Sequence, residues 1–177
     1  LLRDLIALPS VNPAFLPDDP NRTGEERVAL YLADLACKQG LEVSRQPVLP
    51  SRRNLLVRLK PSGKAKRRII LSPHLDVVPA EDKQCKPQVK NGRLHGRGAC
   101  DTKGSVAAFF HALLELSKDK NRPAETEILF VGLVDEEHCQ SGSRVLGERG
   151  PKGDLAIAGE PTQLQVVTAH KGNLWLC

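Results

Sequence analysis

Arg68-Ile69-Ile70-Leu71-Ser72-Pro73-His74-Leu75-Asp76-Val77-Val78-Pro79 is the stretch that decides how the rest of the chain is read. Ile69, Ile70 and Leu71 are aliphatic, the first two β-branched, and with Arg68 they predict a buried strand over 68–71. Pro73 and Pro79 bracket the loop that follows. That loop sets an imidazole and a carboxylate two positions apart. If strand geometry persists, His74 and Asp76 point the same way. The carboxylate then holds one ring nitrogen of His74 and leaves the other for a cation. Alone, His-x-Asp is as readily a loop histidine beside a surface aspartate, because so short a motif recurs by chance.

Outward from this strand, local patterns predict the remaining elements. Leu1 to Leu8 is apolar at helical spacing and Pro9 ends it. A loop rich in proline and aspartate runs to Pro20. Thr23-Gly24-Glu25-Glu26 reads as a capping box, with Thr23 as N-cap and Glu26 reaching back. The helix it opens buries Val28, Leu32 and Leu35, and Gly40 closes it. Strands follow over 41–48 and 54–59. Residues 80–98 show no periodicity, and Gly92, Gly96 and Gly98 mark a shaped loop. Lys103 to Ser117 predicts a helix burying Val106, Phe109, Phe110, Leu113 and Leu114. Thr126 to Val134 is an almost continuous apolar run, as in a strand covered on both faces. A short helix over 141–148, a buried strand over 154–158 and a strand starting at Gln165 complete the set. Strand and helix alternate from Arg68 to Ala158. The expectation is an α/β fold of three layers: a mostly parallel sheet with helices on both faces. One domain without a linker accounts for the whole pattern.

Composition narrows the function. The chain has 177 residues, enough for a sizeable core, with 40% hydrophobic and 27% charged residues. It contains no apolar run of membrane-spanning length and opens on no signal peptide, so no membrane partner is expected. The net charge of +5 is dispersed, and aromatics make up only 3%, which argues against a nucleic-acid surface. Five widely spaced cysteines, Cys37, Cys85, Cys100, Cys139 and Cys177, include no C-x-x-C. They fit the reduced thiols of a cytoplasmic protein rather than a disulfide frame or zinc ribbon. The opening Leu1-Leu2-Arg3-Asp4 reads as helix interior, so the chain is expected to be part of something longer.

The candidate functional groups share one location. His74 and Asp76 follow the first core strand, Glu136 and Glu137 the second, and Glu160 the third, while Asp101 opens the helix between. Ligands bind at that edge of open α/β sheets. Several carboxylates and an imidazole gathered there repel one another unless a divalent cation supplies positive charge. The donor set, without thiolates, suits Zn²⁺, with Co²⁺ or Mn²⁺ as alternatives. The number of carboxylates suggests two cations sharing a bridge. Adjacent Glu136 and Glu137 can divide the work, one on the metal and one as general base. The plainer alternative for Asp135-Glu136-Glu137 is an acidic helix N-terminus. Gly96 to Gly104 lacks G-K-[ST], so a phosphate loop is disfavoured, and Asp101 as a simple N-cap remains open. His111 is expected at a helix rim, His138 as a weaker metal candidate, and Cys100 as a small buried residue.

Four ordered blocks carry a resemblance: Ser72 to Pro79, Gly92 to Gly104, Asp135-Glu136-Glu137 and Gly159-Glu160-Pro161-Thr162. Together with Leu5 to Pro13 they resemble the dinuclear-zinc amidohydrolases that include acetylornithine deacetylase, succinyl-diaminopimelate desuccinylase, aminoacylase and glutamate carboxypeptidase. The resemblance covers essentially the whole chain. It implies the zinc-exopeptidase-like catalytic domain, ending before the lid. It also implies two Zn²⁺: His74 and Glu160 on one, Glu137 on the other, and Asp101 bridging them. Asp76 would orient His74, and Glu136 would be the general base. His170-Lys171-Gly172 resembles the strand leading to the lid or dimerisation domain, and the longer protein would form a homodimer. Four departures stand out, one of them the family's aromatic-rich segment between the two metal blocks, reduced here to Lys83-Gln84-Cys85-Lys86-Pro87. The family's second histidine ligand lies beyond Cys177, His95 replaces a usual aromatic, and Cys139 stands where glycine is common. The implied reaction is hydrolysis of N-acyl amino acids or small peptides by a water activated between the zincs. An exopeptidase of the same chemistry and a non-catalytic metal-binding fragment are the alternatives.

Overall fold

The computed structural model describes residues 1–169. In chain order the elements are α1 (Leu2–Ala7), α2 (Glu26–Lys38), β1 (Glu42–Leu49), β2 (Arg52–Leu59), β3 (Arg67–Ser72), β4 (Gln88–Lys90), β5 (Arg93–His95), α3 (Lys103–Lys118), β6 (Thr126–Gly132), α4 (Ser141–Arg149) and β7 (Leu155–Ala158). A 3-10 turn covers Asp82–Cys85.

Five strands form one sheet in the order β1-β2-β6-β3-β7. β3 is parallel to both β6 and β7, whereas β2 is antiparallel to β6 and to β1. Four of the five strands therefore run the same way and β2 alone is reversed, so the sheet is mostly parallel as expected. The reversal has a local cause. Pro50-Ser51 joins β1 and β2 through a tight turn with Ser51 at φ 61°, and a turn that short returns the chain antiparallel.

Side-chain alternation along the strands builds two cores. Leu55, Val57, Leu59, Ile128 and Phe130 face one side. They pack with Leu5 of α1, Val28 and Leu32 of α2, and Val106, Phe110 and Leu113 of α3. Phe110 meets Phe130 edge to face at 5.2 Å, worth about 0.5–1.5 kcal/mol beyond the area it buries. The alternate residues Leu56, Leu129, Val131 and Ile70 face the other side, where Leu146 of α4 covers them. Helices thus lie on both faces, three against one side and one against the other.

Several expectations are corrected. α2 has Glu25, not Thr23, as its N-cap, and there is no capping box. Gly24 turns the chain at φ +85°, Thr23 Oγ1 donates to the Asp19 carbonyl, and the Glu25 carboxylate is drawn away by Arg52. The 80–98 loop contains a hairpin, β4–β5, turned by Asn91-Gly92 with both residues at positive φ. That dipeptide was the available signal. β7 is not buried. It pairs with β3 at the sheet edge, and Leu155 and Ile157 remain 52% and 40% exposed. Nothing among the described residues covers its outer side. No strand forms over 165–168, and His170-Lys171-Gly172 lies outside the described residues.

Candidate metal centre

Parallel pairing brings the chemistry to one edge. The β3–β6 ladder aligns Ile70 with Leu129 and Leu71 with Phe130, then continues past both strands as a His74–Leu133 bridge. Leu75 donates to the Leu133 carbonyl at 2.8 Å, and Leu133 donates to the Pro73 carbonyl at 2.9 Å. His74-Leu75-Asp76 and Asp135-Glu136-Glu137 therefore emerge side by side. On the other flank, Ser72 pairs with Ala158, which delivers Glu160 to the same edge.

His74 is the centre of the cluster and is 1% exposed. Its Nδ1 lies 3.0 Å from the backbone carbonyl of Asp76. A carbonyl only accepts, so Nδ1 carries the proton and Nε2 faces the cluster. Nε2 stands 3.1 Å from Asp101, 3.7 Å from Glu136 and 3.8 Å from Glu160. One ligand atom each from His74, Asp101 and Glu137 lies within 4.8 Å of the others. All five residues outside Asp76 that sequence reasoning singled out for the site thus converge.

Asp76 does more than face the imidazole. Its carboxylate lies 3.5 Å from His74 Nδ1, while the closer ring contact is its own carbonyl. The two carboxylate oxygens accept the backbone N–H groups of Glu136 and Glu137, each at 3.1 Å. One buried carboxylate therefore sets the imidazole and the main chain of both glutamates. Beneath it, Asn12 donates to Asp76 at 2.7 Å and to Asp135 at 3.1 Å. Arg52 spans Asp135 at 3.0 Å and both oxygens of Glu25. Asp135 adopts φ 65°, which turns the chain so that its own side chain points inward and Glu136 and Glu137 point to the edge.

Two further ties hold the remaining loops. Thr102 Oγ1 donates to the Gly159 carbonyl, joining the Asp101 loop to the Glu160 loop. Lys103 is 2% exposed and donates to the carbonyls of Leu5 and Leu8 at 2.9 and 2.7 Å. Burial pulls its pKa down to about 8. Asn12, Glu25, Arg52, Thr102 and Lys103 were not flagged from the sequence. Their partners lie 27 to 123 residues away, so no local pattern announces them. Cys100 is exposed rather than buried, because the turn preceding α3 faces solvent. His111 is exposed on α3, as expected of a rim position.

The electrostatics fit a divalent cation. Burial raises Glu137 to about 7, with Asp101 adding to the rise against the pull of His74. Burial likewise raises Glu160 to about 7, with Glu136, Asp101 and Glu137 adding charge repulsion. For His74, burial acts to lower the pKa, but Asp76, Glu160 and Glu136 outweigh it and raise it to about 10. One imidazolium is left to balance five carboxylates, Asp76 among them. Imidazole nitrogen and carboxylate oxygen are the donors that Zn²⁺, Co²⁺ and Mn²⁺ take, and second-layer hydrogen bonds already fix their orientation. His138 belongs to a separate group with Asp135 and Cys139.

Known proteins share this arrangement of sequence and fold. The chain is 33% identical over 159 residues to acetylornithine deacetylase of Vibrio cholerae, covering 85% of this chain and 40% of that protein. The chain thus spans about two-fifths of the length of such relatives. Among solved structures, aminopeptidase PepT from Bacillus cereus superposes with TM-score 0.71 at 22% identity, covering 89% of this chain and 41% of that one. Human carnosine dipeptidase 1 superposes with TM-score 0.67 at 23% identity, covering 89% and 36%. A family profile matches residues 70–171, from the β3 strand through the Asp101, Glu137 and Glu160 loops, and by that match the chain belongs to Peptidase family M20/M25/M40.

Proposed function

We propose that this chain is the N-terminal portion of the metal-binding catalytic domain of a hydrolase that cleaves the amide bond of N-acyl amino acids, in the manner of acetylornithine deacetylase. The observation that carries it is the approach of Asp101, Glu136 and Glu160 to within 3.8 Å of His74 Nε2 on a prebuilt hydrogen-bonded base. In this reading His74, Asp101, Glu137 and Glu160 would hold two Zn²⁺. When bound, the ions supply Lewis acidity toward water and toward the amide carbonyl. Glu136 takes the proton of the attacking water on a carboxylate oxygen. It then returns that proton to the leaving amine as the C–N bond breaks. Asp76 touches no reactant. It keeps the Nδ1–H tautomer of His74 and the main chain of Glu136 and Glu137 in place.

The test is Glu136→Gln in the full-length protein, read by metal content and by hydrolysis of N-acetyl amino acids and dipeptides side by side. The substitution keeps shape and removes the proton acceptor. Metal content is expected to persist while turnover falls about 10²–10⁴-fold. Turnover within a few-fold of the natural protein assigns the base elsewhere. Preference for dipeptides over N-acetyl amino acids moves the substrate class to peptides with the same residues in the same roles.

A further inference from the structure

The turn that presents Glu136 and Glu137 carries a second set of donors. Gln140 donates its N–H to the Asp135 carbonyl at 2.6 Å, closing residues 135–140 into a tight loop. Both end residues have positive φ, 65° at Asp135 and 57° at Gln140. The loop folds His138 and Cys139 back over Asp135. Cys139 Sγ comes to 3.0 Å from His138 Nδ1, and one ligand atom from each of Asp135, His138 and Cys139 lies within 4.8 Å of the others. The Phe15 ring packs edge-on against His138 at 6.2 Å.

We propose that Cys139, His138 and Asp135 form a second, thiolate-bearing site for a soft divalent cation such as Zn²⁺ or Cd²⁺, separate from the His74 cluster. The spacing is that of a tetrahedral site. A thiolate and an imidazole nitrogen on one zinc ion sit about 3.5 Å apart, given bonds of roughly 2.3 and 2.0 Å. The observed Sγ–Nδ1 distance is 3.0 Å, and a small rotation of either exposed side chain opens the pair to that separation. The charges also suit a dication: it would face a thiolate and the Asp135 carboxylate, whose compensation by Arg52 is shared with Glu25. Asp135 is held by Arg52, Asn12 and Ser141 in the way metal-ligating carboxylates are held by outer partners. Cys139 and His138 are exposed and reachable by a cation from solvent. No donor is shared with His74, Asp101 or Glu160. Thiolate selects soft ions over Mg²⁺ or Ca²⁺. The three donors lie on the loop of Glu136 and Glu137. His138 and Cys139 line the same cavity of about 510 Å³ as that pair, with Phe15 and Val78. A cation held there sits at the wall of the approach to the catalytic pair.

The experiment is a Cd²⁺ titration followed by the near-ultraviolet sulfur-to-cadmium charge-transfer absorbance. It uses the full-length protein with Cys37, Cys85, Cys100, Cys177 and any cysteine beyond this chain changed to Ser, so that Cys139 is the one thiol. A saturable band is expected. His138→Gln should weaken Cd²⁺ at that band at least about tenfold, the low end of what losing even a supporting group costs a metal site. His74→Gln should leave the band unchanged, which separates this site from the other cluster. If the multiple variant does not fold, Cys139→Ser in the natural background should abolish the tightest sulfur band, and Mg²⁺ should produce none. Absence of the band, its persistence in Cys139→Ser, indifference to His138→Gln, or its loss in His74→Gln each overturns the proposal. No step of the test depends on amide hydrolysis.

Discussion

Asn12 Nδ2 donates to Asp76 at 2.7 Å across 64 residues of sequence, with both side chains buried. The same amide reaches Asp135. One neutral donor thus satisfies two carboxylates that underlie the candidate centre. Asn12→Leu strips both; each carboxylate oxygen keeps one other donor, and losing hydrogen bonds to charged groups costs about 1.5–3 kcal/mol. Urea denaturation should register that loss. Zn²⁺ affinity, by competition with a chromophoric chelator, should fall about 10–100-fold because the group that orients His74 is loosened. Unchanged affinity removes Asn12 from any positioning role.

Arg52 is the cation of the buried layer. It binds both oxygens of Glu25, which is 2% exposed, and one of Asp135. Arg52→Met leaves Glu25 charged and unpaired, and breaking a buried pair this way costs about 3–5 kcal/mol. Arg52→Lys should fall between, since an ammonium cannot span three oxygens in one plane. Burial already raises the Glu25 pKa despite Arg52. A raised folded value means stability present at acid pH and lost as pH rises through it. The Met variant enlarges that rise, so its deficit should be smaller at about pH 4 than at about pH 7. Denaturant melts at the two pH values decide this, and a deficit equal at both counts against it.

Metal removal should give the pH dependence a definite sign. Without a cation, Glu137 and Glu160 titrate near 7 and His74 near 10, each above its ordinary value. The folded chain therefore holds more protons than the unfolded one. The glutamates lose their contribution between 4.5 and about 7, and His74 loses its own between 6.5 and about 10. All three act in one direction. In chelator, Tm should fall from about pH 5 to about pH 9, and added Zn²⁺ should raise Tm more at the upper end, where the ligands are free of protons. A metal-free Tm that climbs across this range contradicts the assignment.

Two glycines of α4 should respond with opposite signs. A Cβ at Gly142 would lie 2.4 Å from the Val134 carbonyl oxygen and 2.7 Å from Asn54 Oδ1. Gly142 itself donates to that Val134 carbonyl and accepts from Asn54, so neither neighbour can move away freely. Gly142→Ala should destabilise by about 1–3 kcal/mol, the cost of overpacking. At Gly147 a Cβ meets nothing within 4 Å, and Gly147→Ala should stabilise by up to about 1 kcal/mol through helix propensity. Thermal melts of both variants test the pair, and equal effects would falsify the contact argument.

Much of this was legible from local pattern. The 3.6-residue spacing of Val106, Phe110 and Leu113 and the continuous apolar run before Leu133 depend only on neighbouring residues. So does the placement of His74, Glu136 and Glu160 after apolar runs, which is why the candidate site could be assembled from sequence. The α2 cap was misread for the opposite reason. Thr23-Gly24-Glu25-Glu26 satisfies a local rule, yet the Thr23 hydroxyl donates to the Asp19 carbonyl and the Glu26 carboxylate faces Arg45 of β1 at 3.5 Å. β7 was misjudged as buried because an apolar strand looks the same at the centre and at the edge of a sheet.

Sequence by itself determined the main helices and the core strands, their order and which side chains could serve a cation, because those follow from periodicity and from the intrinsic chemistry of each residue. Tertiary structure alone decided that the Asp76 carbonyl, closer than its carboxylate, accepts from His74, and that the carboxylate holds the backbone of Glu136 and Glu137 instead. It alone joined Asn12, Glu25, Arg52 and Asp135 beneath the site. A buried polar atom must find its partner wherever the folded chain supplies one, and pairings across 64 or 123 residues are set by strand register rather than by any motif.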